Sequence, residues 1–206
     1  MDNIVQIDAS FIKENTIFSE LISALKKGFS NNNIIVPMRH HHDFPNPKIN
    51  ADSTLLLMPA WNPSKEAGVK VVTVSPENGQ FNLPSIQGTY IYLDAKKGTI
   101  KALLEAEELT AKRTAAASAL ASSFLSRKNS NSLLMIGTGA LSVNLIKAHA
   151  SVRPIETVYV WGGSIVKANR VCVSIYIETF YVQAIPMIED NISEVDIFSS
   201  GALAIL

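Results

Sequence analysis

Leu133-Leu134-Met135-Ile136-Gly137-Thr138-Gly139-Ala140-Leu141-Ser142 joins an apolar run to a helix-like stretch through a turn punctuated by two glycines. A buried strand that turns this way into a helix aims backbone N–H groups and the positive end of the helix dipole at one point. That geometry suits the pyrophosphate of a dinucleotide. The third small position of the G-x-G-x-x-G pattern is Ser142. Glu156-Thr157-Val158-Tyr159-Val160-Trp161 reads as the next strand, about 20 residues on, where an acidic side chain would bond a ribose hydroxyl. Trp161-Gly162-Gly163 stands at that end and offers no carboxylate. An ordinary strand–helix turn is the alternative reading.

Outward from this turn, strands and helices alternate: strand 133–136, helix 140–150, strand 157–161, helix 164–174, and strands 179–185 and 195–198. The rhythm predicts a parallel, doubly wound sheet. Only about four strands are in view where a complete dinucleotide fold has about six. The chain then ends on the apolar Gly201-Ala202-Leu203-Ala204-Ile205-Leu206, so a C-terminally truncated protein is expected.

Upstream, Arg127-Lys128-Asn129-Ser130-Asn131 has the composition of a linker. Glu105 to Ser126 is helical in composition: glutamates open it, and Ala115-Ala116-Ala117-Ser118-Ala119 gives a smooth packing face. Short β-rich runs precede it at Thr54–Met58, Val69–Val74, Tyr90–Leu93 and Thr99–Leu104, the last two joined by a turn at Lys97-Gly98. Pro37 to Pro47 reads as a loop carrying Arg39 and His40-His41-His42. An amphipathic helix over Thr16–Phe29 comes first. The expected fold is therefore α/β, with an N-terminal α/β domain over residues 1–128 and an incomplete Rossmann-like parallel sheet over 129–206.

Hydrophobic residues form 47% of the 206 and charged residues 17%, as in folded globular chains. Eighteen basic and eighteen acidic residues cancel, so no global field favours nucleic acid or an anionic membrane. No apolar run is long enough to span a bilayer. Cys172 is the sole cysteine and no secretory h-region is present, which together point to a reducing cytoplasm. Three adjacent histidines on an extended segment point in different directions and lack a completing Cys or carboxylate set. No metal is expected there.

Leu57-Met58-Pro59-Ala60-Trp61, Gly68-Val69-Lys70-Val71-Val72-Thr73, Leu83-Pro84-Ser85-Ile86-Gln87-Gly88-Thr89 and Leu109-Thr110-Ala111-Lys112-Arg113-Thr114-Ala115-Ala116-Ala117-Ser118 stand in order before the glycine turn. With them the chain resembles the ornithine cyclodeaminase/mu-crystallin family, and within it the bacterial reductases of cyclic ketimines such as Δ1-pyrroline-2-carboxylate. The resemblance implies a substrate and dimerisation domain beside a Rossmann domain, an NAD(P)H cofactor, a homodimer and a small imino or amino acid substrate. It implies that Arg39 pairs with the substrate carboxylate, and that Lys70 holds the same carboxylate or assists proton transfer to the imine nitrogen. Thr89 and Arg113 would contact the cofactor phosphates or the substrate edge. Gly137, Thr138, Gly139, Ala140 and Leu141 would line the pyrophosphate.

Two positions depart from the family pattern. Leu56 replaces the acidic residue that ornithine-cyclising members carry two before Met-Pro, which favours a reductase of a less cationic imine. Gly162-Gly163 replaces the Asn-Arg pair of members that prefer NADPH, with Lys167 and Arg170 as only weak substitutes for its grip on a 2′-phosphate. The expected activity is NAD(P)H-dependent reduction of a cyclic ketimine carboxylate to a proline-type product. Ornithine cyclodeamination and a non-catalytic dinucleotide-binding role are the alternatives. For Lys70 a local reading also stands, a solvated lysine on the polar face of a half-buried strand.

Overall fold

Two units emerge from the contacts: Met1–Thr16 with Lys27–Thr110, and Ile17–Lys26 with Ala111–Leu206. The computed structural model describes residues 4–175, 179–189 and 191–201. The apolar ending beyond Gly201 lies outside the described residues.

The first unit is a six-stranded sheet. The elements run β1 (Val5–Ile7), α1 (Ala9–Asn15), α2 (Phe18–Phe29), β2 (His40–Asn46), β3 (Ala51–Asn62), β4 (Glu66–Val74), β5 (Ile86–Asp94) and β6 (Ile100–Glu105). Their order across the sheet is β1-β6-β5-β4-β3-β2, antiparallel except where β1 joins β6. Asp8 caps α1 by accepting from the Phe11 N–H at 2.8 Å. The expected tight turn before β6 is present: Gly98 takes φ +69°, and Asp94 accepts from the Lys96 and Lys97 N–H groups.

Residues 40–46 correct the expectation of a loop, because they form β2 at the sheet edge. An edge strand leaves one row of backbone groups to solvent, so it tolerates Pro45 and a polar histidine run.

α3 (Ala106–Leu125) leaves the first unit and enters the second. The contact division falls between Thr110 and Ala111 and takes residues 17–26 into the second unit, whereas the expected boundary follows residue 128. Packing explains this. Ala115, Ala116 and Ala119 are wholly buried and share one core with Phe18 and Ile22 of α2 and with Leu133, Ile146, Val158 and Val160.

That core covers the second sheet: β7 (Ser132–Ile136), α4 (Ser142–Ala150), β8 (Thr157–Trp161), α5 (Ile165–Ser174), β9 (Tyr181–Ala184) and β10 (Ile197–Ser200). All four strands are parallel, in the order β10-β7-β8-β9. Leu133, Leu134 and Met135 are wholly buried, as a central parallel strand covered on both faces requires. The chain steps from β7 to β8 to β9, then returns to place β10 on the other side of β7. This is the strand order of a doubly wound fold, and its direction reverses between β7 and β10, where such folds bind ligands. Among the described residues no helix is long and apolar enough to cross a membrane.

Candidate functional site

The turn after β7 is built for close approach of a ligand to backbone. Gly137 takes φ +108°, a conformation that disfavours any side chain. Its N–H donates to the Trp161 carbonyl at 2.8 Å, which locks the end of β7 to the end of β8. Ser142, at the third small position, is fully buried, and its hydroxyl donates to the Gly137 carbonyl at 3.0 Å. A small residue is needed there so that α4 can pack tightly against the strand. A Cβ placed on Gly139 would meet nothing within 4 Å, so this glycine borders open space. Among the described residues no acceptor meets the N–H groups of Gly139 or Ala140. Open space, free donors and the start of α4 together fit a diphosphate. Gly201 forms the opposite lip, its N–H donating to the Ile136 carbonyl at 2.9 Å.

Thr138 points across this turn to β8, where its Cγ2 lies 2.7 Å from the position of a Cβ on Gly162. Ala140 is exposed and Leu141, partly buried, precedes the first turn of α4. Arg113 is exposed on α3 within the same unit. Its neighbour Lys112 is buried, with its ammonium 4.8 Å from the centre of the Phe18 ring.

In the first unit, Lys70 lies in the middle of β4, opposite Met58 of β3 and Tyr90 of β5. It is partly buried, and its Nζ donates to the Thr110 hydroxyl at 3.4 Å. The start of α3 therefore covers this face of the sheet, an arrangement that departs from the solvated-lysine reading. Tyr90 crosses the same face over Gly68 and lines a cavity of about 160 Å³ with Trp61, Asn62, Ala67 and Tyr92. Burial pushes the Tyr90 phenol up from its ordinary value, with the neighbouring Tyr92 adding to the effect.

Arg39 is exposed and immediately precedes β2. Its neighbour His40 pairs with Leu57, one position before Met58, the cross-strand partner of Lys70. Thr89 pairs with Val71 and so falls on the opposite face from Lys70, where its hydroxyl donates to the Leu104 carbonyl at 3.1 Å. Sequence reasoning assigned no role to Thr110 or Tyr90. Thr110 stood inside the quoted Leu-Thr-Ala-Lys-Arg-Thr motif, but only the fold brings it to Lys70, forty positions away in the chain.

The histidine run faces solvent. His41 Nε2 lies 2.9 Å from Asp43 Oδ1, and Thr54 donates to the same oxygen at 2.6 Å. These bonds, Thr54 first, hold the Asp43 carboxyl below its usual range. Among the described residues no group of three His, Cys, Asp or Glu side chains is placed to hold a metal ion.

Comparison with known proteins gives a consistent picture. The profile of the ornithine cyclodeaminase/mu-crystallin family matches residues 1–203. An uncharacterized Schizosaccharomyces pombe protein is 41% identical over 205 residues, covering 94% of this chain and 62% of its own. A Δ1-pyrroline-2-carboxylate reductase from Colwellia psychrerythraea is 36% identical over 165 residues, 80% of this chain and 52% of its own. The Δ1-pyrroline-2-carboxylate reductase of Thermococcus litoralis, solved with NADH and L-proline, superposes with a TM-score of 0.84 at 27% identity, over 96% of this chain and 61% of that one. The chain thus spans between about half and three fifths of the length of these relatives.

Proposed function

The chain belongs to the ornithine cyclodeaminase/mu-crystallin family, and on that premise we propose that its parent activity is NAD(P)H-dependent reduction of a cyclic ketimine carboxylate to a proline-type amino acid. The observation that carries this reading is the turn at Gly137–Leu141, with free N–H donors at Gly139 and Ala140 and open space beside Gly139. The likeness to reductases of Δ1-pyrroline-2-carboxylate supports the substrate class.

When bound, the dinucleotide would supply a hydride to the carbon of the C=N bond. The chain's own residues then have three tasks. The Gly137–Leu141 turn holds the diphosphate, with Arg113 adding positive charge. Arg39 takes the substrate carboxylate through its planar fork of donors. Lys70, steadied by Thr110, fixes the same small acid and lends a proton toward the imine nitrogen as it gains electron density. Thr89, on the other face, serves the sheet through its bond to Leu104.

We also propose a homodimer. Leu55, Leu57, Val69, Val71, Ile91 and Leu103 share the face of the first sheet opposite Lys70, and all stay only partly buried in the single chain. An apolar sheet face of that extent suits burial against a second copy.

The test is direct. Δ1-pyrroline-2-carboxylate is mixed with the protein and NADH or NADPH, and the loss of reduced-nicotinamide absorbance is followed. Turnover is expected. Turnover of L-ornithine with none of the imine would replace this reading with cyclodeamination, a role that Leu56 disfavours.

A further inference from the structure

The position just after β8 is where a dinucleotide fold places the side chain that grips the adenosine ribose: a carboxylate on the 2′-hydroxyl, or a cation near a 2′-phosphate. Here that position is Gly162, followed by Gly163 and Ser164. The structure gives a steric reason for the missing side chain. A Cβ on Gly162 would lie 2.7 Å from Thr138 Cγ2 and 3.3 Å from Thr138 Oγ1. Thr138 is the middle residue of the glycine turn, and the Gly137 N–H bond to Trp161 fastens that turn to the end of β8. The methyl of one loop therefore fills the space from which the other would send a ribose ligand. By contrast, a Cβ on Gly163 would meet nothing within 4 Å.

We propose that the Thr138–Gly162 contact sets cofactor choice: by crowding out a side chain at 162, beside a glycine at 163, it leaves the adenosine end without a 2′ discriminator, so NADH and NADPH bind about equally. This inference rests on the dinucleotide reading of the Gly137–Leu141 turn. With neither a carboxylate nor a guanidinium at the ribose, affinity comes from the diphosphate, which the two cofactors share. The contact also predicts how discrimination can be introduced. Thr138→Ala removes both close atoms and leaves only Cβ, at 3.6 Å, an ordinary van der Waals separation. A side chain at 162 then fits.

The experiment titrates NADH and NADPH separately into the 206-residue protein, without imine substrate, and follows nicotinamide fluorescence for Kd. The wild type is expected to give Kd values within about tenfold of each other. Thr138→Ala should keep that ratio. Thr138→Ala with Gly162→Asp should weaken NADPH at least about tenfold relative to NADH, since the new carboxylate meets the 2′-hydroxyl of one and repels the phosphate of the other. Gly162→Asp alone should weaken both, because Thr138 is driven into the turn. A wild-type ratio well beyond tenfold in either direction overturns the proposal, as does a switch by Gly162→Asp alone with binding undiminished. Binding of neither cofactor to the wild type would overturn the dinucleotide reading along with it. Equal binding with no imine turnover would spare this inference and count against the proposed activity.

Discussion

The hydroxyl and ring carbon Cζ of Tyr90 occupy the space that a Cβ would take on Gly68. Glycine at 68 is thus a condition for the Tyr90 ring to cross the sheet beside Lys70, its cross-strand partner. Gly68→Ala should push that ring aside, raising KM for the imine about tenfold or more and leaving dinucleotide Kd unchanged, because small displacements of positioning groups are costly. Steady-state kinetics beside a cofactor titration check this. An unchanged KM would remove Tyr90 from the substrate pocket.

Lys70→Met should lower kcat about a hundredfold or more if the lysine lends the proton. Thr110→Val keeps the cation and removes its 3.4 Å tether, so the loss should be smaller, within about tenfold. Steady-state kinetics of both variants check this, and a kcat for Lys70→Met within about tenfold of wild type would remove the lysine from proton transfer.

His149 of α4 is 2% exposed, with Nε2 3.3 Å from the Ser118 hydroxyl and Nδ1 without a partner among the described residues. Burial pushes its pKa down from 6.5 to about 4. The unfolded chain therefore takes up a proton before the folded one does. This contribution to stability is complete above pH 6.5 and is lost as the pH falls from there toward 4, to a total of about 3 kcal/mol. Denaturant melts at pH 7 and pH 4.5 should show the loss, and His149→Gln should flatten it. An equal loss in the variant would assign the acid sensitivity to other groups.

Arg153 closes the C-terminal end of α3. Its guanidinium donates to the carbonyls of Ser122, Ser123 and Ser126, and to that of Arg127 just beyond. A cation at this end also opposes the negative pole of the helix. Arg153→Ala should lower stability by about 2–3 kcal/mol, seen as a lower denaturant midpoint at unchanged m. A midpoint within error of wild type would show that water replaces the cap.

Val71→Asp places a charge in the centre of the apolar face carrying Leu57, Val69 and Ile91. Light scattering should show the dimer converted to monomer, with far-UV circular dichroism retained. A dimer that survives the charge would move the interface elsewhere.

The second unit was largely legible in the sequence, since a glycine turn between a wholly apolar strand and a helix leaves few alternatives. β7, β8 and α3 lie within a residue or two of where periodicity puts them. β2 was not legible, because an edge strand with Pro45 and three histidines has a loop's composition. Arg39 stood out only through the family motifs, whereas Lys70 also stands out as a lysine inside the apolar run Val69–Val72. Thr110 and Tyr90 had no local signal, because their meaning comes from cross-strand pairing and the placement of a helix start. Gly162 looked like a gap in a motif, and only the coordinates show Thr138 filling it. The membership of α2 was hidden for the same reason: amphipathicity reveals that a face will be buried, not what will bury it.

That last feature bears on how the molecule is born. Phe18 and Ile22 complete a core whose other walls, from Ala115 to Val160, emerge from the ribosome about a hundred residues later. At ordinary translation rates the helix is exported seconds ahead of everything it will touch in that core, with its oily stripe bare to water. Each unit draws on two separate lengths of the chain, so neither is a contiguous stretch of polypeptide, and the nascent chain must hold one thread loose until the last is drawn in.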